Sequence, residues 1–556
     1  MNRVKIKNIL LTFIILSSFV VFSGLFLKNV YELQFTNSQY FHDQALSYRV
    51  KTETLQAKRG SIYDKNLVVI VSSAQSFNVG IFPSKVENIK DISTVLSPLI
   101  NVNSSEIANK ILDSNNFFYL SRNVSYEIGS EIKSWNIKGL VVEPSSKRII
   151  HESSLRNVVG RVDTDQNGIE GLELYFNSTL SGIDGEIKYE AAPDGRIIPQ
   201  ANIQTKQPIH GEDLILTIDA ELQYLTKNLC KEALVDTGAF NCSVVFANAN
   251  TGEILISAEE FNPNRYLNIN LISSRAQYEP GSSLKIFSVG LALDSGLVTE
   301  DSKFKVYDKI EIIENSCSTN YQGYKGCYKD FLKHEPYVLS VTEIIERSSN
   351  VGTIMATKDL SVLELENFLF KFGFNEKTGI ELSGETRGSF DKNKTCSTCL
   401  SSLSIGYSIN VTQMQMVKAY SIIANGGRDI NLTLIKKPYD FSYSNQVIDN
   451  TLSIRMKNLL INVVEGDNGT GKSLKMDNYI IGGKTGTSRT YIEGEGYSDT
   501  RFNTSFTGFI ETSQGPIVGS VILWGAEISQ NSEYVTGGST AAPIFKTVVS
   551  YLIPGE

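Results

Sequence analysis

Histidine is nearly absent from this chain, with only His42, His151, His210 and His334 among 556 residues. So scattered a set leaves little from which to build a zinc centre or a histidine-based triad. A dense basic tract is missing as well, and the formal net charge is −8. That balance argues against nucleic acid as a partner. Cysteine is sparse, falling as three close pairs: Cys230/Cys242, Cys317/Cys327 and Cys396/Cys399. In an oxidising compartment these are expected to bridge, and pairing in sequence order is one of many arrangements six cysteines allow. The Cys396-Ser-Thr-Cys399 spacing lacks both the βαβ setting of a thioredoxin-type motif and the second Cys/His pair of a zinc site, so neither role is assigned to it.

What is present is ordinary globular material, 41% hydrophobic and 20% charged, long enough for several domains. The first thirty residues are the exception. Arg3, Lys5 and Lys7 precede an uncharged run from Asn8 to Leu27 that ends at Lys28. The run exceeds the apolar core of a cleaved signal peptide, so a transmembrane anchor is expected, with the N-terminus in the cytoplasm and nearly all of the chain outside it. The expected divisions are a cytoplasmic tail (1–7), the anchor (8–27), a mixed polar region (28–210) and a second domain (211–556).

Within 28–210, Leu67–Val71 and Ser76–Phe82 read as strands and Glu87–Leu99 as a helix, with a turn at Asp194-Gly195-Arg196. Arg59-Gly60-Ser61-Ile62-Tyr63-Asp64 reads as a turn entering a strand, with charges suited to scaffold ties. In the second domain, Leu214–Ile218 reads as a strand and Asp219 as the cap of a helix over Ala220–Leu234. Ser243–Ala247 and Glu253–Ser257 flank Asn250-Thr251-Gly252 as a hairpin. Tyr479–Lys484, Ser505–Ile510 and Ile517–Trp524 read as three further strands. The sum is a mixed α/β fold with a central antiparallel sheet drawn from both ends of the domain.

Three short stretches carry chemistry. In Glu279-Pro280-Gly281-Ser282-Ser283-Leu284-Lys285 a Pro-Gly turn delivers Ser282 to the start of an apolar helix, with Lys285 on the same face. A serine becomes nucleophilic when a neighbouring base takes its proton, and a lysine of depressed pKa can do so. Alone the match is weak: Ser130/Lys133, Ser302/Lys305 and Ser389/Lys392 share the spacing, and a capped helix with a solvated lysine explains any of them. In Arg347-Ser348-Ser349-Asn350, Ser348 and Asn350 project a hydroxyl and an amide from a loop. In Ile480-Ile481-Gly482-Gly483-Lys484-Thr485-Gly486-Thr487, strand alternation puts Lys484 and Gly486 on one face and Thr485 and Thr487 on the other.

The order S-x-x-K, S-x-N, K-T-G is the active-site set of penicillin-binding proteins and class A β-lactamases. With its length, the chain resembles a class B penicillin-binding protein, a monofunctional peptidoglycan D,D-transpeptidase, from the anchor almost to Glu556. Arg59–Asp64 resembles that family's first pedestal motif, although Lys65 and Leu67 replace the usual Arg and Gly. Leu216-Thr217-Ile218-Asp219, Thr251-Gly252-Glu253-Ile254, Ser404-Ile405-Gly406-Tyr407 and Ala424-Asn425-Gly426-Gly427 match further stretches, while Cys317–Cys327 lies in what looks like an insertion. Ser348-Ser349-Asn350-Val351-Gly352 and Gly384-Glu385-Thr386-Arg387-Gly388 look like the division-type enzymes, the elongation type being the alternative.

The resemblance implies a penicillin-binding, serine β-lactamase-like transpeptidase domain on an elongated pedestal. It implies Ser282 as nucleophile, Lys285 as base, Ser348 as proton relay, and Asn350 as a hold on the donor peptide. Lys484, Thr485 and Thr487 would bind its carboxylate, Gly486 would allow close approach, and the N–H groups of Ser282 and Thr487 would form an oxyanion hole. Neither metal nor organic cofactor is implied. The implied partners are peptidoglycan stem peptides, lipid-linked precursors, β-lactams, a polytopic glycan polymerase and other division membrane proteins at the bacterial inner membrane. A β-lactam hydrolase or sensor on the same fold, and a silent scaffold, are the rival readings.

One motif points elsewhere. Gly466-Asp467-Asn468-Gly469-Thr470-Gly471-Lys472-Ser473 fits the P-loop pattern G-x-x-x-x-G-K-[ST] in full. Leu459–Val464 could supply the strand before it, but Leu474–Tyr479 is too short and polar for the helix after it. The stretch is read as a Gly-rich loop leading into the Lys484 strand.

Overall fold

The computed structural model describes residues 2–192, 196, 198, 204–263, 271–318, 326–391, 395–436, 445–492, 494, 496–527 and 534–553. Asp194 and Gly195 of the expected turn lie outside these, as does Lys392. The chain divides into two compact units, Met1–Arg59 with Ser181–Glu212, and Gly60–Leu180 with Asp213–Glu556.

The first unit begins with a helix over Asn2–Tyr31, prolonged by a π-helical turn at Glu32–Thr36 and a second helix at Ser38–Arg49. It is long and apolar enough to cross a membrane, and Phe13, Phe19 and Phe22 stand exposed along it. Val50–Leu55, Gly185–Glu190 and Gln204–Lys206 form a small antiparallel sheet with Gly185–Glu190 in the middle.

In the second unit, the expected strands Leu67–Val71 and Ser76–Phe82 merge into one, Val69–Ile81, which leaves out Leu67, Val68 and Phe82 and is paired on its two sides by Phe118–Ser125 and Leu140–Ile150. Helices Ile89–Ile100, Ser104–Asp113 and Tyr126–Ser134 cover one face, where Val79, Ile81, Leu96, Ile107 and Ile132 make a local core. Leu214–Ile215 pairs in parallel with Ile62–Tyr63 of this sheet, so the expected strand at Leu214–Ile218 is short and serves the pedestal. Asp64 is buried there. Its carboxylate accepts from the N–H groups of Asn66 and Val68 at 2.8 Å each, and from that of Ala220 at 3.2 Å. The pedestal motif thus helps cap the first helix of the next layer, where Asp219 also accepts from Glu221 and Leu222. That helix runs from Ala220 to Thr237 and stops at Gly238, whose φ of +61° is easy for glycine.

The sheet that carries the candidate site is wholly antiparallel, in the order Ile254–Phe261, Asn241–Asn248, Ile517–Glu527, Gly496–Ile510, Ile481–Ile492. Its strands come from both ends of the domain. Because helices cover both faces, alternate residues enter different cores. Val244 and Phe246 join Cys230, Leu234, Phe545 and Val548, whereas Val245 and Ala247 join Phe287, Met414, Tyr420 and Leu460. This explains why Asn241–Asn248 is buried nearly throughout and shows no polar side. Three bridges, Cys230–Cys242, Cys317–Cys327 and Cys396–Cys399, join the cysteines in sequence order.

Leu459–Val464 is the last part of a helix, Asn450–Glu465, rather than a strand. The Gly466–Ser473 loop therefore follows a helix. Its amides are engaged within the protein: Asn468 N donates to Glu346 Oε1 at 2.7 Å and Thr470 N to Glu346 O at 3.2 Å. A phosphate cradle needs those groups free.

Candidate active site

Ser282 sits on a single 3₁₀ turn, Gly281–Leu284, that continues directly into the α-helix Lys285–Asp294. The tighter winding makes side chains three apart nearly eclipse, so Ser282 and Lys285 emerge on one side. Every residue from Lys285 to Leu293 is buried, and Phe287 packs edge-on against Phe372, Phe374 and Tyr420. The turn is held from both sides. Gly281 N donates to Gly406 O at 3.1 Å, and the buried Tyr420 hydroxyl donates to Ser283 O at 2.8 Å.

Lys285 is fully buried, and its Nζ donates to Ser348 O at 2.6 Å and lies 3.4 Å from Ser348 Oγ. Those are its hydrogen bonds among the described residues; none joins it to Ser282. Burial pushes the ammonium down to about 7, against the opposing pull of Asp330. A lysine near neutrality can be a base at ordinary pH.

Ser348 lies between the helices Val341–Glu346 and Asn350–Thr357 with a φ of +60°, the left-handed region that non-glycine residues enter at a cost of about 1–2 kcal/mol. The following Ser349 caps the second helix by accepting from Gly352 N at 2.8 Å. Asn350 Nδ2 donates to Lys329 O at 2.7 Å.

Lys484 occupies the edge strand Ile481–Ile492 and is also fully buried, its Nζ near Thr485 O (3.2 Å) and Thr485 Oγ1 (3.4 Å). Burial first, then the charge of Lys285, holds it well below the usual lysine range. Thr485 Oγ1 donates to Thr470 Oγ1 at 2.9 Å, and Thr487 Oγ1 accepts from Gly537 N at 3.2 Å. Gly486 faces the Ser282 turn: a Cβ there would stand 2.6 Å from Ser283 Oγ and 3.0 Å from Pro280 O. One on Gly281 would lie 3.2 Å from Thr487 O. These two glycines let the edge strand and the turn meet backbone to backbone.

The three motifs, far apart in sequence, therefore converge: Lys285 reaches Ser348, its charge acts on Lys484, and Gly486 abuts Ser283. Such a site can activate a hydroxyl, pass its proton along, and hold an anion near two buried lysines. Sequence reading missed three supports. Glu346 holds the loop that meets Thr485, Tyr420 braces the turn, and Asp330 bonds to Ser349. None of the three left a trace in sequence; only Ser349, the partner of Asp330, did, as a cap-forming serine before a helix. Lys472 of the Gly-rich loop stays outside, donating to Asp467 O at 3.4 Å on the surface, and no metal-ligand cluster occurs among the described residues.

Residues 242–550 match a family model described as the penicillin binding protein transpeptidase domain, and residues 54–216 match the penicillin-binding protein dimerisation domain. The chain is 26% identical over 552 residues to a probable peptidoglycan D,D-transpeptidase PenA of Neisseria meningitidis, covering 97% of this chain and 91% of that protein. It is 27% identical over 570 residues to the peptidoglycan D,D-transpeptidase FtsI of Buchnera aphidicola, covering 99% and 96%. Among solved structures, penicillin binding protein 3 of Mycobacterium tuberculosis complexed with aztreonam shares the fold, with a TM-score of 0.66 at 22% identity over 90% of this chain and 97% of that one.

Proposed function

Because the chain belongs to the penicillin-binding protein transpeptidases, we propose that it cross-links peptidoglycan stem peptides through an acyl-enzyme on Ser282. The observation that carries the reading is the buried Lys285, poised near neutrality between the nucleophile turn and Ser348. Neutral Lys285 takes the proton as Ser282 Oγ attacks the carbonyl carbon between the two terminal D-Ala residues of a stem peptide. Ser348 Oγ passes that proton to the departing amine, the C–N bond breaks, and D-Ala leaves. The N–H groups of Ser282 and Thr487 hold the oxyanion.

Ile481–Ile492 is the last strand of its sheet, so its outer edge offers backbone groups to an extended peptide. Lys484, Thr485 and Thr487 take the terminal carboxylate, Gly486 keeps the approach open, and Asn350 holds the peptide amide. An amine of a second stem then attacks the ester. The C–O bond breaks, an amide cross-link forms, and the proton returns to Ser282. A β-lactam enters the same route and stays as an ester.

The N-terminal helix serves as a single-pass anchor of the bacterial inner membrane, with the cytoplasmic end marked by Arg3, Lys5 and Lys7. A role in septal wall synthesis, beside a polytopic glycan polymerase and other division proteins, is supported by the Ser348–Gly352 and Gly384–Gly388 stretches and by the FtsI relative. Labelling with a fluorescent penicillin, native against Ser282→Ala, tests the chemistry. Covalent label is expected on the native protein alone. Equal labelling of the variant would remove Ser282 from its role, and unlabelled, folded native protein would count against the whole reading.

A further inference from the structure

Between the first and second motifs lies a small hairpin, Lys309–Glu311 paired with Cys327–Lys329 and closed by the Cys317–Cys327 bridge. It ends at Asp330, whose carboxylate is nearly buried, with a side-chain exposure of 7%. Four hydrogen bonds converge on it. Ser349 Oγ lies 2.8 Å from Oδ2 and 3.1 Å from Oδ1, Val351 N donates to Oδ1 at 3.0 Å, and His334 Nε2 is 3.2 Å from Oδ2. The preceding residue contributes as well, since Lys329 O accepts Asn350 Nδ2. Consecutive residues 329 and 330 thus grip consecutive residues 349, 350 and 351.

We propose that Asp330 is the positioning residue of this active site, holding the Ser348–Asn350 turn in its strained form so that Ser348 faces Lys285; the proposal rests on the transpeptidase reading above. Each link has a physical reason. Ser349 gives its hydroxyl to Asp330 and accepts from Gly352, so it is held from two directions and fixes the helix start. The carboxylate sits where the N–H groups of that helix point, which favours a negative charge. With residues 349 and 351 fixed, Ser348 is pinned in the left-handed region and its carbonyl stays on Lys285. The Asn350 amide is held by the hairpin backbone. Ser348 Oγ is then the one side chain of the motif left near the base.

The same carboxylate bears on the site by charge. Lys285 feels Asp330 from the hairpin, and its own charge acts on Lys484 of the edge strand. Around Asp330 itself stand His334, Tyr337 and Arg347, with the His334 ring stacked on Tyr337 at 4.1 Å and the Arg347 guanidinium 5.4 Å from the centre of the same Tyr337 ring. Asp330 favours the protonated form of Lys285, so its removal should lower the pH at which the base becomes neutral.

The test is the rate of acylation by fluorescent penicillin across about pH 5 to 9 for the native full chain, Asp330→Asn, Ser349→Ala and the double variant. Asn keeps the size and one acceptor but loses the charge. Asp330→Asn is expected to slow the plateau rate by about tenfold or more and to move the acid limb to lower pH. A merely structural role would lower thermal stability and leave the limb in place. Ser349→Ala should slow the plateau without moving the limb, and the double variant should be no slower than the slower single change, because both cut one path. A plateau within about twofold of native for both single variants, a fixed limb in Asp330→Asn, or fully multiplicative losses would each overturn the proposal. If Asp330→Asn fails to fold, a native plateau in Ser349→Ala still does so. Native protein that takes no label counts instead against the transpeptidase reading.

Discussion

Lys285 has no carboxylate within hydrogen-bonding distance among the described residues, and its position in the core is what makes it useful. Its ammonium is pushed down to about 7 by loss of water. Proton abstraction needs the neutral form, which predominates above that value and disappears below it. Acylation by a penicillin should therefore fall about tenfold per pH unit on the acid side of 7 and level off above it, measured as the rate of covalent labelling over a pH series. A rate that is flat through this range would take the base role from Lys285. Lys285 as a candidate was legible in the order of the three motifs rather than in its spacing, which Lys133, Lys305 and Lys392 share. Its hydrogen bonds to Ser348 were not, since they depend on where a loop 63 residues away returns. Asp330 was less legible still: no periodicity or spacing rule links it to Ser349, and only the folded hairpin brings the two together.

Elements were readable where local chemistry decides them. Asp219 as a cap, the hairpin about Asn250-Thr251-Gly252, and the K-T-G strand follow from caps, turns and alternation, and all are present. Leu459–Val464 misled because a buried apolar run suits strand or helix equally, and length decides in favour of the helix that begins at Asn450. Leu214–Ile215 is a strand as expected, but its partner was invisible from sequence. The pedestal turn offers a check on backbone strain. Leu67 has a φ of +65°, the left-handed region that glycine enters freely, and its side chain is exposed. Leu67→Gly should raise stability by about 0.5–1 kcal/mol, the relief of left-handed strain exceeding the added freedom of the unfolded chain. A thermal melt of the two proteins measures it, and a lower midpoint for the variant would contradict it.

For the whole molecule, the apolar helix at the N-terminus fits a single-pass membrane anchor. Its apolar side chains are exposed among the described residues, so the full chain should remain with lipid vesicles through an alkaline wash, whereas a chain starting after Lys28 should be released. Release of the full chain would mean that the helix does not cross the bilayer. The site-bearing sheet has a different consequence, one of timing. Asn241–Asn248 has Ile254–Phe261 for one neighbour, but its other neighbour, Ile517–Glu527, emerges hundreds of residues later. Until then the hairpin waits with an open edge, able to join a like edge on another nascent chain. The nearby Cys230–Cys242 bridge needs no distant partner and can form early, tying that hairpin to its helix while the remainder is still being made. Correct assembly thus depends on how long an unfinished sheet is kept from its own kind, and the last strands delivered include the edge that carries Lys484.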